Sequence, residues 1–226
     1  FTPMNASFAA LMPLPGNIAF MSQSGAVCTA ILDWSYAEGI GFSRFVSLGN
    51  KADIDEVALL QAWNDDPHSH VILAYLEGIS NGQAFMQAAR TVTKQTPVIA
   101  IKSGTTAAGS RAASSHTGSL AGSDAAYEAA FLQSGILRAR SMQDVFDQAL
   151  IFAYQPLLQG DNIAIVTNAG GPGILATDAV ENAGLILHSA VVRALVQAGI
   201  VDGTVPVALA FSADIVEMRS RVVLAL

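Results

Sequence analysis

The sequence predicts an α/β fold with a doubly wound parallel sheet, on three observations. Short apolar runs alternate along the chain with helices of about ten residues or more, as in successive βαβ units. Runs such as Val-Ile-Ala-Ile at 98–101 lack polar alternation, which is typical of strands buried on both faces. Hydrophobic residues make up 52% of the chain and charged residues 13%, yet no apolar run reaches the length of about 18 residues that a membrane span needs. A buried sheet therefore explains the composition.

Local signals define each element in order. A strand at 17–22 precedes a helix at 25–38 that ends at Gly39, and acidic residues open a helix at 53–64. The remaining strands of this region are predicted at 42–48, 71–76, 97–102 and 136–139, and its remaining helices at 83–93, 123–133 and 142–154. These units predict a flavodoxin-like domain over residues 15–160.

The ends of the chain are predicted to belong to other domains. Residues 1–14 are punctuated by prolines and are interpreted as a lead-in from an upstream domain that is missing. Residues 161–226 are interpreted as the start of a second flavodoxin-like domain, incomplete at about 65 residues. Within it we expect strands at 162–167, 185–188 and 207–211, a glycine-rich segment at 169–173 that is followed by a helix to residue 182, and a helix at 215–226.

Charge and cysteine content exclude several classes of protein. The net charge of −7 and the lack of a basic cluster argue against nucleic-acid binding. The single Cys28 cannot form an internal disulfide, and no signal peptide begins the chain, so a cytoplasmic protein is expected. His68, His70 and His188 show no ligand spacing with cysteines or carboxylates, so no metal site is predicted.

An internal repeat indicates two similar sites for an anion. The stretch from Asn17 to Gly25 aligns with the stretch from Asn162 to Gly170, and each is a strand, a small polar turn and the start of a helix. A helix N-terminus has unpaired N–H groups and partial positive charge, so it attracts phosphate. Neither turn is a Walker loop or a dinucleotide fingerprint. The residues predicted to bind phosphate are Ser24, Gly25 and Ala26 in the first copy, and Gly170 and Gly171 in the second.

One imidazole stands in a stretch of small residues at 103–122. His116 could act as a nucleophile toward a phosphoryl group, and a carboxylate that accepts its other ring N–H would fix the tautomer. Glu77 is the leading candidate, because it follows a predicted strand at the sheet edge where ligands bind. The simpler readings remain open at this stage: a surface histidine and a solvated loop carboxylate.

A serine hydrolase is a weaker alternative. Ser24, an acid at Asp53 or Asp55, and His116 occur in the chain order of an α/β-hydrolase triad, but the nucleophile elbow would need glycine where Ser22 and Ala26 stand. The charged residues at 51 and 53 are expected on a solvated loop.

Three motifs resemble those of the NDP-forming acyl-CoA synthetases, relatives of succinyl-CoA synthetase, with the ADP-forming acetate:CoA ligases most similar. They are Pro-Gly-Asn-Ile-Ala-Phe-Met-Ser-Gln-Ser-Gly-Ala at 15–26, Tyr-Leu-Glu-Gly-Ile at 75–79 and Ala-Ser-Ser-His-Thr-Gly-Ser-Leu-Ala-Gly-Ser at 113–123. The resemblance extends over about residues 5–189. It implies an acid–thiol ligase that interconverts acyl-CoA, ADP and phosphate with carboxylate, ATP and CoA through an acyl phosphate and a phosphohistidine.

The resemblance also implies roles for single residues. His116 corresponds to the phosphorylated histidine and Glu77 to the carboxylate that orients it, while Ser115, Thr117 and Gly118 support the loop around the histidine. Ser24 and Gly25 correspond to the start of one helix that holds the phosphate, and Gly170 and Gly171 to the start of the other.

The implied cofactors are CoA, ATP or ADP, and Mg²⁺, bound mainly by domains that this chain lacks. The implied partners are a small-molecule carboxylate, CoA, phosphate, an ATP-grasp domain or subunit and a CoA-binding domain, in an oligomer without nucleic acid or membrane. A chain without those domains should not complete the reaction alone. The alternative is a synthetase-like regulatory or ligand-sensing region of a protein lysine acetyltransferase, and the retained His116 favours catalysis over it.

Overall fold

The structure is a computed structural model that describes residues 12–106, 108–109, 123–157, 160–166, 170–187 and 209–212. The chain divides into two compact units, residues 1–154 and 155–226. Each unit has its own sheet.

The first unit alternates strands and helices along its described residues, as predicted. Its strands are β1 (Leu14–Ser22), β2 (Gly41–Ser47), β3 (Val71–Leu76), β4 (Val98–Lys102) and β5 (Leu137–Ala139). Its helices are α1 (Gly25–Ala37), α2 (Glu56–Trp63), α3 (Gly82–Val92), α4 (Asp124–Gln133) and α5 (Met142–Tyr154).

All five strands of the first unit run parallel, in the order β2-β1-β3-β4-β5. This is the strand order of flavodoxin-like folds, so the predicted fold class is confirmed. The chain moves to one side of β1 to form β2 and to the other side to form β3, which makes the β1–β3 boundary the topological switch point. Ligands of such sheets bind outside the carboxyl ends of the strands at that point.

Helices cover both faces of the sheet, because successive strand residues point to opposite sides. Ile18 and Phe20 of β1 pack into a core with α1 and α5, and Ala19 and Met21 pack into the core under α2, α3 and α4. All four side chains are at most 1% exposed. Burial on both faces explains why the central strands β1, β3 and β4 appear in the sequence as largely apolar runs.

Strand β1 begins three residues earlier than the predicted start at residue 17. Leu14 pairs with Gly41, and the register then shifts between Pro15 and Ile18. The two backbones approach so closely here that a Cβ on Gly41 would lie 2.1 Å from the Pro15 carbonyl oxygen. Pro15 and Gly16 have the composition of a turn, but they form an irregular strand start that only glycine at residue 41 permits.

Helix α2 begins three residues later than predicted. Asp55 is its N-cap residue, and the Oδ1 atom of Asp55 accepts a hydrogen bond from the Ala58 N–H at 2.8 Å. An acidic cluster marks a helix start without saying which member is the cap.

The second unit contains β6 (Asn162–Val166), α6 (Gly170–Asn182), β7 (Ile186–Leu187) and β8 (Leu209–Ser212) among its described residues. Its sheet has the order β7-β6-β8, in which β7 is parallel to β6 and β8 is antiparallel. The antiparallel direction of β8 distinguishes this sheet from the first. The helix predicted at 215–226 lies outside the described residues.

Candidate functional site

The carboxyl ends of β1, β3 and β4 meet at one edge of the first sheet. Ser22 of β1 is level with Tyr75 of β3, and Leu76 is level with Lys102 of β4. The N–H of Ser103 continues this pairing with a 3.0 Å hydrogen bond to the Leu76 carbonyl. Three segments therefore leave the sheet side by side at the switch point: the predicted phosphate-binding turn, Glu77 and the start of the 103–122 stretch.

The N-terminus of α1 is open to solvent. Ser24 is the N-cap residue, and its hydroxyl accepts a 3.4 Å hydrogen bond from the Val27 N–H. Gly25 and Ala26 are exposed, and the first turn has no acidic residue. A Cβ on Gly25 would meet no atom within 4 Å, so packing does not require glycine there. The small residues leave the unpaired N–H groups of the first turn accessible to an anion.

Helix α6 of the second unit has the same length as α1 and a similar first turn. It begins at Gly170, and like α1 it has 13 residues and no acidic residue in its first turn. The two helices are offset by the same 145 residues at both ends, from Gly25 to Gly170 and from Ala37 to Asn182. Gly171 is exposed and a Cβ on it would meet nothing within 4 Å. The repeat seen in the sequence thus extends through a whole helix.

The segment that carries Glu77 is held by side chains from two other elements. The three successive backbone N–H groups at 77, 78 and 79 all donate hydrogen bonds to side chains. The Oε1 atom of Gln23 accepts from Glu77 at 2.7 Å and from Gly78 at 2.9 Å, and the Tyr127 hydroxyl accepts from Ile79 at 3.2 Å. Glu77 itself is half-buried.

Lys51 is not the solvated loop charge that the sequence indicated. Its Nζ atom donates to the Gly78 carbonyl at 2.8 Å and lies 3.3 Å from Glu56 Oε2. Glu56 is only 1% exposed, which is rare for a carboxylate unless it is paired. Lys51 has φ of +54°, the one positive value for a residue other than glycine in the described part of the chain. Asp53 is exposed, as expected.

A buried cation, Lys102, lies at this edge. Lys102 is 5% exposed at the end of β4, donates to the Ser103 carbonyl, and has its Nζ atom 4.7 Å from the ring centroid of Tyr127. Burial lowers the pKa of Lys102, and the negative charges of Asp124 and Glu77 act against that shift. The sequence did contain a signal for it: a lysine that directly follows the apolar run at 98–101.

The histidine stretch lies outside the described residues. This applies to His116 and to Ser115, Thr117 and Gly118, the residues predicted to support it. Their roles remain predictions. The described parts of the site are the turn at 22–26, the segment at 77–79 and the start of the stretch at 103–106.

The serine hydrolase alternative gains no support. Ser24 and Asp55 both serve as helix N-caps, which accounts for their side chains without a triad, and Asp53 is exposed.

The remaining candidate groups give no further site. Burial raises the pKa of the Cys28 thiol, and its hydrogen bonds with Ser47 and Ser22 act against that shift. In the ranges that the structure describes, no three His, Cys, Asp or Glu side chains gather as metal ligands would. Nor do those ranges contain a helix long and apolar enough to cross a membrane.

The strand order defines a flavodoxin-like domain. At its topological switch point, the N-terminus of α1 is accessible to an anion. The family model described as the succinyl-CoA ligase like flavodoxin domain matches residues 15–152, more than half of the chain. The chain belongs to this family, which confirms the resemblance found in the sequence.

Three relatives illustrate the similarity. The alpha subunit of the ADP-forming acetate–CoA ligase I of Pyrococcus furiosus is 50% identical over 190 residues, which are 83% of this chain and 41% of the relative. An ADP-forming 4-hydroxybutyrate–CoA ligase of Nitrosopumilus maritimus is 45% identical over 184 residues, 80% of this chain and 26% of the relative.

The solved structure of a dinucleotide forming acetyl-coenzyme A synthetase 1 from Ca. Korarchaeum cryptofilum, in complex with phosphate and ADP, matches with a TM-score of 0.75 and 46% identity. That match covers 81% of this chain and 40% of that one. The chain thus spans about two fifths or less of the length of these relatives.

Proposed function

We propose that this chain carries the phosphoryl-transfer domain of an ADP-forming acyl-CoA synthetase, with His116 as the residue that is phosphorylated. The observation that carries the proposal is the shared sheet edge. Glu77, the open N-terminus of α1 and the start of the 103–122 stretch leave neighbouring parallel strands at the switch point.

The proposed reaction, in the direction of ATP formation, has three steps. An oxygen of inorganic phosphate attacks the thioester carbonyl of acyl-CoA, the C–S bond breaks, and CoA leaves as an acyl phosphate forms. A nitrogen of the neutral His116 ring attacks phosphorus, and the P–O bond to the carboxylate breaks, which releases the free acid anion. The phosphoryl group then passes to an oxygen of the ADP β-phosphate as the P–N bond breaks, which yields ATP and restores the imidazole.

Glu77 serves the second step. Attack by a neutral imidazole places positive charge on the ring, and a carboxylate that accepts the other ring N–H stabilises that charge and fixes the tautomer. The phosphate on the ring carries negative charge, which the N-terminus of α1 favours because its dipole and free N–H groups face outward. With 11 Lys and Arg against 18 Asp and Glu in the chain, a helix end is a suitable source of positive field.

The complete enzyme needs parts that other domains supply. We infer an ATP-grasp domain or subunit that binds nucleotide with Mg²⁺, a CoA-binding domain, and a small carboxylic acid as the acyl substrate. Relatives named for acetate and for 4-hydroxybutyrate support that substrate class. An oligomer is expected by analogy with the subunit organisation of such relatives. A reducing cytoplasm suits the buried free thiol of Cys28.

The test separates the first step from the later ones in the complete enzyme. Acyl phosphate made from acyl-CoA and phosphate is trapped with hydroxylamine, and ATP is measured in parallel. We expect His116→Ala to retain acyl phosphate formation and to lose ATP formation, and Glu77→Gln to slow ATP formation. His68→Ala is the matched control, because this exposed histidine precedes β3 at the opposite edge of the sheet.

Undiminished ATP formation by His116→Ala would contradict the proposal. A wild-type protein that binds acyl-CoA but forms neither product would favour the regulatory alternative.

A further inference from the structure

The side chain of Gln23 connects the two parts of the site that are formed by different strands. It follows β1 and stands next to Ser24, the N-cap residue of α1. Its Oε1 atom accepts the N–H groups of Glu77 and Gly78, at 2.7 and 2.9 Å. Its Nε2 atom donates to the Gly78 carbonyl at 2.9 Å and to Glu56 Oε2 at 3.2 Å. Two acceptor positions and two donors are the full capacity of a glutamine amide, and all are used.

Buried charges fix which way this amide faces. Glu56 is 1% exposed and can only accept hydrogen bonds, so it selects the Nε2 end of the Gln23 amide. The Nζ atom of Lys51 lies 3.3 Å from the same Oε2 atom of Glu56 and 3.4 Å from its Oε1 atom, and it also donates to the Gly78 carbonyl. Lys51 does so from a left-handed backbone conformation, which is strained for a residue with a side chain. If the Gln23 amide were flipped, its NH₂ group would face the N–H groups of Glu77 and Gly78, and no hydrogen bond could form between them. Only one orientation of the amide therefore fits.

We propose that Gln23 is a positioning residue for phosphoryl transfer: it sets the distance between the Glu77 backbone and the N-terminus of α1. This inference rests on the proposed function, because it assigns Gln23 to the step in which Glu77 orients the histidine. The carboxylate must lie at hydrogen-bond distance from one ring nitrogen while the helix end faces the phosphoryl group. A rigid link between those two groups keeps both contacts possible in the same state.

The first test asks whether Gln23 acts through Glu77. The single-turnover rate of phosphohistidine formation is measured in the complete enzyme for Gln23→Met, Glu77→Gln and the double variant. Methionine keeps the length of the side chain and removes all four hydrogen bonds. We expect Gln23→Met alone to slow the step about tenfold to hundredfold, as misplacement of a reacting group does. In the Glu77→Gln background the same substitution should change the rate by less than about twofold.

The second test exchanges the amide of Gln23 and the carboxylate of Glu56. Gln23→Glu keeps the acceptor for the two backbone N–H groups but brings a second carboxylate against Glu56. The double variant Gln23→Glu/Glu56→Gln restores a donor facing an acceptor, with the same net charge, and should recover part of the rate lost in Gln23→Glu; the Gly78 carbonyl loses its donor at position 23 in both variants and keeps only Lys51. Gln143→Met is the control, because Gln143 is exposed on α5 and its amide contacts only Asp147 in the described contacts.

Hydrogen exchange gives a readout that does not depend on activity. In Gln23→Met the amides of Glu77 and Gly78 should exchange at least about tenfold faster, while the Ile79 amide, bound to Tyr127, should change little. Equal slowing of phosphorylation by Gln23→Met in both Glu77 backgrounds would overturn the inference and leave the proposed function intact. The absence of any phosphohistidine in the wild-type enzyme would overturn both, and unchanged amide exchange would overturn the positioning role by itself.

Discussion

Removal of the Lys51 ammonium should destabilise the first unit by an amount typical of a buried ion pair. Glu56 is 1% exposed and the Lys51 side chain 17% exposed, with the charged atoms 3.3 Å apart. Removing one partner of a buried pair costs about 3–5 kcal/mol, whereas a surface pair contributes about 0–1 kcal/mol. Because Gln23 still donates to Glu56 in the variant, we expect the low end of the buried range, about 3 kcal/mol, for Lys51→Met.

The assay is denaturant unfolding followed by tryptophan fluorescence. Trp34 and Trp63 are the only tryptophans in the sequence, and both lie in the first unit, so the signal reports on that unit. The double variant Lys51→Met/Glu56→Gln removes both charges and should recover part of the loss. Lys94→Met, at an exposed position, should change the unfolding free energy by less than about 0.5 kcal/mol. A loss below about 1 kcal/mol for Lys51→Met would refute the assignment of this pair as buried.

Two further predictions concern the fold. Gly41→Ala should destabilise the first unit by about 3 kcal/mol or more, because the new Cβ would meet the Pro15 backbone at 2.1 Å, while Gly82→Ala, with no atom within 4 Å, should not; thermal unfolding of both variants checks this. Burial alone would raise the pKa of Asp66, but its contacts, led by the Ser69 hydroxyl, leave that pKa below the usual 3.8. The ionised Asp66 carboxyl stabilises the fold above its pKa in the unfolded chain, and this contribution is lost as the pH falls through its pKa in the folded protein. The unfolding free energy of Asp66→Asn should therefore fall less steeply with decreasing pH than that of the wild-type protein. An identical dependence in the two proteins would contradict this.

The sequence was sufficient for the architecture of the first unit, because burial on both faces leaves a strong signal. Apolar runs marked β1, β3 and β4, while β2 and β5 contain polar or charged residues and were predicted from their place between helices; every predicted strand of this sheet was observed, with β3 at its predicted bounds and the others shifted at one or both ends. The start of β1 was missed because Pro15 and Gly16 form turns in most contexts. The pairing of Leu14 with Gly41 depends on two backbones in close approach, which no local pattern reports. The antiparallel direction of β8 likewise depends on a long-range partner.

The candidate site was predictable only in part, for the same reason. The position of Glu77 at the sheet edge could be predicted because this carboxylate directly follows a buried strand, and strand ends converge in a parallel sheet. Gln23 had no such signal, since its role depends on contacts with residues 33 and 54 positions away. Lys51 was interpreted as a solvated loop charge because charged residues are mostly exposed. Its contacts depend instead on the folded position of the segment at 77–79, whose Gly78 carbonyl accepts hydrogen bonds from both Lys51 and Gln23.

The most direct test of the proposed function is to map the phosphorylated residue. The complete enzyme is incubated with ATP and Mg²⁺, digested under alkaline conditions that preserve a phosphoramidate, and analysed by mass spectrometry. We predict one phosphoryl group on the peptide that contains His116, lost on acid treatment and absent from His116→Ala. A phosphoryl group on any other residue, or an enzyme that forms ATP from acyl-CoA without a phosphorylated intermediate, would contradict the assignment.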